Sequence, residues 1–281
     1  VGRLASGHRA RDQRRRGPVA GLLVALAALA IGAADGGTNR LEEARRLAAS
    51  SDLGDLERAA VLYEARLADD PQDFDALVGA ARALNAVMTI RTHANLPLVN
   101  GLQDTEENRA LWKDIGGRAV DYARRAQEQQ PDSVDASAER AKAFMYYVSS
   151  MGIIKSIVTG AGIAYLDHAA KLRELDAHYD SGLGDYLLGA FWMVAPPPLR
   201  NLDRSLSYYE RAAGLAPSSV RNQFGLGVYW ARREEPVRAR SHFEKAVALP
   251  CVAGTESLVC DWLKDEARRS VERLRAVEAG R

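Results

Sequence analysis

Residues 203–216 and 237–250 carry one pattern twice, thirty-four positions apart. Arg204, Tyr209, Glu210, Ala212 and Leu215 of the first copy fall on Arg238, Phe243, Glu244, Ala246 and Leu249 of the second. A period of that length holds two helices and their turns. Such a unit cannot bury its apolar face alone, so stacked neighbours must make the core. The feature points to a binding scaffold and away from an enzyme.

The repeat extends upstream. Ala119, Ala123, Ala126 and Pro131 reproduce the offsets of Ser205, Tyr209, Ala212 and Pro217, which places a second helix at 118–130. Ala59, Tyr63 and Pro71 fit more loosely. First helices follow each proline: Phe74–Met88 with Gly79, Ser133–Val148 with Ala141, Leu183–Val194 with Gly189, and Val220–Arg232 with Gly227. A small residue at each of these sites lets paired helices approach closely. The clearest repeats are 183–217 and 220–250. Periodic apolar positions without turn-bounded alternation make the body, 35–281, all-α.

Three stretches interrupt the pattern. Residues 89–108 read as a long loop, and 149–166 are almost wholly apolar with Lys155 their single charge. Residues 195–202 hold Pro196-Pro197-Pro198, expected as a stiff extended connector. Glu256–Ala279 reads as a final helix whose polar face suits a cap. Trp192 and Trp230 fall where helices pack together and are expected in the core.

Small, aromatic and small residues at these offsets are the signature of the tetratricopeptide repeat (TPR), and the chain resembles that superfamily. The expected fold is an all-α, TPR-like helical-hairpin solenoid with insertions and a C-terminal capping helix.

Charge is unevenly spread. Residues 1–34 carry six arginines against Asp12, so the net charge of +1 leaves the remaining chain at −4, unsuited to nucleic acid. Arg14-Arg15-Arg16 precedes an uncharged run, 17–34, that ends in Ile31-Gly32-Ala33-Ala34. Two readings stand: 1–34 as a cleaved signal peptide, or 17–34 as an uncleaved inner-membrane anchor. Either places the body in the periplasm or otherwise outside the cytoplasm, with any membrane contact made through the N-terminal segment. Cys251 and Cys260, nine apart beyond the last repeat, are read as a disulfide or as two buried thiols.

No catalytic, cofactor or metal site is expected. The histidines are scattered, and the sequence holds no nucleophile elbow, His-Glu-x-x-His motif, phosphate loop or dinucleotide fingerprint. What remains is the inner wall made by the first helices. Met145, Tyr146, Tyr186, Met193, Val194 and Phe224 give it an apolar middle, with Arg221 and Arg232 at the edge for anionic recognition. Such a wall is read as a groove for a hydrophobic ligand or protein partner, or as core filled by the insertion 149–166.

Tyr165–Pro250 also resembles the TatT family, a TPR-type accessory of tripartite ATP-independent periplasmic (TRAP) transporters. The likeness lies in Leu172-Arg173-Glu174-Leu175-Asp176-Ala177-His178-Tyr179, Leu187-Leu188-Gly189, the proline-rich break, Asp203–Ala212 and Asp265-Glu266-Ala267-Arg268-Arg269. It implies a periplasmic protein, a homo-oligomer around hydrophobic pores, and a substrate-binding protein as partner. A second function class is a structural scaffold in cell-envelope assembly, without a small-molecule site, that uses the outer faces and the loop 89–108.

Overall fold

The structure, a computed structural model, describes residues 36–251 and 254–279. The candidate leader at 1–34 lies outside them. Among the described residues there is no strand, only an isolated bridge between Leu98 and Gly101. The helices are α1 (Gly36–Ala48), α2 (Leu53–Asp69), α3 (Phe74–Thr92), α4 (Glu106–Gln129), α5 (Val134–Met151) and α6 (Ile153–Val158). They continue with α7 (Ala161–Leu175), α8 (Tyr179–Val194), α9 (Leu202–Leu215), α10 (Val220–Arg232), α11 (Pro236–Ala248) and α12 (Cys260–Ala279). From α2 onward successive helices pack on one another, the order expected of stacked hairpins.

Local chemistry sets the helix starts. Pro71, Pro131 and Pro217 each stand two residues before an N-cap, and Asp73, Ser133 and Ser219 accept from the backbone N–H three residues on. Proline stops one helix, and the cap satisfies a free donor of the next. Helix spacing is set by a ring on a glycine. A Cβ on Gly227 would stand 2.6 Å from the Phe243 ring, and one on Gly189 would stand 3.1 Å from Tyr209.

The interruptions differ from their sequence reading. The long loop shrinks to 93–105, because α3 runs on to Thr92 and α4 starts at Glu106, capped by Thr105. The first turns of α4 look polar, yet Trp112 and Ile115 on one face carry them into the core. Trp112 donates its indole N–H to Thr92 Oγ1 at 3.1 Å. The apolar stretch 149–166 is helical, ending α5, forming α6 and opening α7. The triple proline is a tight turn, where Leu199 and Arg200 donate to the Pro196 carbonyl. The last helix starts at Cys260, after a 3-10 turn at Thr255–Leu258.

Trp192 and Trp230 are half-buried, a correction to their expected place in the core. Arg204 lies 4.8 Å over Trp192, and Arg238 lies 4.5 Å over Trp230. Their outer faces are covered by a cation from the following helix. This stacking accounts for the arginine kept at both repeat positions.

Candidate binding cavity

The face formed by α3, α5, α8 and α10, read as a groove or as a core filled by the insertion 149–166, is crossed by two other segments of the same chain. The first is the loop 93–105. His93, Ala94 and Asn95 all take the left-handed conformation, with φ of 51°, 62° and 44°. For residues with a Cβ such geometry persists only where contacts hold it. The contacts are here: His93 stacks on Trp262 at 4.9 Å, and Leu96 is buried in the C-terminal core. Arg232 donates to Leu98 O from Nε and Nη2 at 3.1 and 2.6 Å, and from Nη2 to Gly101 O at 2.9 Å.

The second closing segment is the turn 254–258. Its Glu256 is buried and accepts from Ser219 Oγ and from the Val220 N–H, at the start of α10. Thr255 donates to Asp180 Oδ2, Arg221 pairs with the same oxygen at 3.2 Å, and Leu258 packs on the N-terminal core. Burial would raise the Asp180 pKa, but the Arg221 charge and the Thr255 hydroxyl hold it below the ordinary carboxylate value. A disulfide joins Cys251 and Cys260, bracketing this turn.

Beside the turn lies a second buried charge. Glu139 accepts from Lys142 Nζ at 2.9 Å, Arg82 Nε at 3.1 Å and Asn85 Nδ2 at 2.9 Å. Burial alone would push its pKa up, and the two cations more than offset it. Asp180 ties the turn to α10, while Glu139 ties α5 to α3.

Every residue assigned to the groove can now be placed. Tyr146, Tyr186, Met193, Phe224 and Arg221 are buried, while Met145, Val194 and Arg232 are half-buried. The wall is covered, and neither arginine is left at its edge for anionic recognition. Arg221 is committed to Asp180, and Arg232 to two backbone carbonyls. The loop 93–105 covers one side, with α6 from the insertion on the other. Met193 and Phe224 belong to the C-terminal core, where Phe224 meets Phe243 at 5.6 Å. The Tyr146 hydroxyl is 2.8 Å from Thr89 Oγ1.

Closure is incomplete. A cavity of about 100 Å³ remains between the loop, the end of α5, α6 and α8. Leu96, Pro97, Val148, Ile157, Ala190 and Phe191 line it, with Met145, Tyr186 and Val194 from the expected set. A smaller void of about 50 Å³ adjoins it past Leu96 and Tyr186, towards Arg221 and Glu256. Polar groups are few. Asn95 donates to Ser149 Oγ at 2.8 Å, while its Oδ1 and the Tyr186 hydroxyl find no partner among the described residues. Burial raises the Tyr186 pKa, so the phenol is neutral. The lining carboxylate, Asp104, is paired with Arg109 at 2.5 Å, and the rest of the pocket is apolar with a few dipoles, which suits an aliphatic group.

Leu96, Pro97 and the α6 isoleucines were missed as site residues because they lie in segments without a repeat register. The apolar run 149–166 was the available signal. Among the described residues, no group of three or more His, Cys, Asp or Glu side chains could hold a metal ion.

The helix order and closed face can be set beside solved structures. TTC0263, a thermophilic TPR protein in Thermus thermophilus, matches with a TM-score of 0.57 at 14% identity, covering 84% of this chain and 99% of that one. The fold is a TPR solenoid. The MamA protein matches less closely, with a TM-score of 0.47 at 14% identity over 75% of this chain and 90% of its own. A tetratricopeptide repeat protein from Parabacteroides merdae gives 0.39 at 12% identity, over 86% and 93%. No protein-family model matches the sequence, and no curated protein matches it.

Proposed function

We propose that this TPR protein is a non-enzymatic binding scaffold whose cavity takes an aliphatic group, an acyl or similar chain, from a hydrophobic ligand. The observation that carries the reading is the mainly apolar cavity left where the loop 93–105 crosses the inner face. Polypeptide does not fit it. An extended peptide needs partners for its backbone groups, and Asn95 and Tyr186 provide almost none. The Cys251–Cys260 disulfide supports an oxidising compartment, as export would supply. Among the described residues no helix is long and apolar enough to cross a membrane.

The finer form of this reading is a TatT-like accessory of a TRAP-type transporter, paired with a periplasmic substrate-binding protein and assembled as a homo-oligomer. Its support is the sequence likeness at Leu172–Tyr179 and Asp203–Ala212, which form the α7–α8 junction and α9. A second reading, a scaffold for a protein partner with no small-molecule site, is favoured by the closure of the inner face by the chain itself.

Native mass spectrometry of the protein purified gently from a periplasm separates the two. The expected result is releasable, non-covalent mass on the wild type and none on Ala190→Trp, which fills the cavity. Empty wild-type protein would sink the ligand reading and leave the scaffold.

A further inference from the structure

Five large hydrophobic side chains stand exposed among the described residues, and three of them fall within ten positions. Ile154 and Val158 on α6 are 79% and 81% exposed, and Ile163 at the start of α7 is 52% exposed. Ile154 and Val158 are four apart and share one side of the helix. The other side, through Ile153, Ser156 and Ile157, lines the cavity. Helix α6 rests on α5 and α7, between Gly152 and Gly160, both with positive φ. It stands out as a short apolar ridge.

Charge narrows what can meet this ridge. From 140 to 166 the sequence has no acidic residue, and Lys155 is exposed between the two apolar tips. Apolar side chains with an adjacent cation match the boundary between acyl chains and anionic headgroups. A protein partner matches less well. A stable interface buries about 800 Å² on each side, far more than three side chains present, whereas lipid needs no complementary surface.

We propose that α6 docks the protein on a lipid bilayer, with Ile154, Val158 and Ile163 among the upper acyl chains and Lys155 at headgroup phosphate. The proposal extends the cavity reading by naming the source of the aliphatic group. A chain leaving the bilayer at α6 would have only that one helix between it and the cavity.

The test uses the full chain with an environment-sensitive dye on Ile154→Cys. The vesicles are phosphatidylcholine with a minority of phosphatidylglycerol, with and without a lipid-borne quencher. A dye on Val237→Cys, another exposed apolar position, serves as reference. Docking predicts a blue shift and strong quenching at 154, none at 237, and loss of the 154 quenching when Val158→Ser and Ile163→Ser are added. The readout sits at residue 154, so attachment through another part of the chain does not produce it. An unquenched dye at 154, or equal quenching at both sites, overturns the proposal. So does a blue shift at 154 that needs no vesicles and grows with protein concentration, since the ridge then joins two copies or a protein partner. An occupied cavity by mass spectrometry with no quenching at 154 would sink the docking alone and leave the cavity reading standing.

Discussion

Replacing Arg232 with alanine should free the loop 93–105 and open the inner face. The guanidinium holds two carbonyls of that loop, Leu98 O and Gly101 O, from α10 more than 130 residues away. Hydrogen bonds to a charged group contribute about 1.5–3 kcal/mol each. Arg232 is half-buried, and the freed carbonyls can turn to water, so the net loss should be nearer 2–3 kcal/mol for the pair. Local opening would then be roughly 30- to 150-fold more frequent. Hydrogen exchange by mass spectrometry reads this directly, since the Gly101 N–H donates to Leu98 O within the loop. Peptides spanning 93–105 should exchange faster by that factor, while α4 and α11 keep wild-type rates. Arg232→Lys should recover part of the protection, because one ammonium cannot serve both carbonyls in the same geometry. Unchanged exchange at 93–105 in the alanine variant would refute the claim that this side chain holds the closure.

Further outcomes follow from the same packing. Gly227→Ala places a Cβ 2.6 Å from the Phe243 ring and should cost about 1–3 kcal/mol in denaturant melts, whereas Gly214→Ala, with nothing within 4 Å, should be neutral or stabilising. Reducing the Cys251–Cys260 disulfide, or making Cys251→Ser, removes a crosslink across nine positions and should cost about 2–3 kcal/mol, read as a lower Tm with faster exchange at 254–258. His168 accepts from Arg140 Nε at 3.3 Å, and burial with the nearby Arg140 charge lowers its pKa from 6.5 to about 4. The unfolded chain therefore binds this proton below about 6.5 and the folded protein only below about 4. Stability should fall as pH drops through that window, and His168→Gln should remove that part of the fall in a Tm-against-pH series.

Much of the fold was legible in the sequence because it rests on local chemistry. Pro71, Pro131 and Pro217 announced the turns, and the caps two residues later fixed the helix starts. Gly189 and Gly227 marked where Tyr209 and Phe243 would sit. The expected boundaries of α10 match the structure, since cap, repeat register and apolar period agree there. Helix α4 was read short because its first turns bury only one narrow face, at Trp112 and Ile115, among charged neighbours.

The site was legible only as a list of apolar wall residues. Tyr186 and Met193 are buried, because exposure depends on what lies across the wall. The left-handed run His93–Asn95 has only a weak sequence marker, a histidine and an asparagine with no glycine at any of its three positions.

The sequence by itself determined the repeat, the helical hairpins and the stacking of each on the next, since caps, turns and small-to-large packing act over a few residues or one repeat. Only the tertiary structure decided that the inner face is closed and where the remaining cavity lies. The contacts that close it, Arg232 to Leu98 and Thr255 to Asp180, join segments far apart in the chain. They form only where the summed rotations between successive repeats bring those segments together.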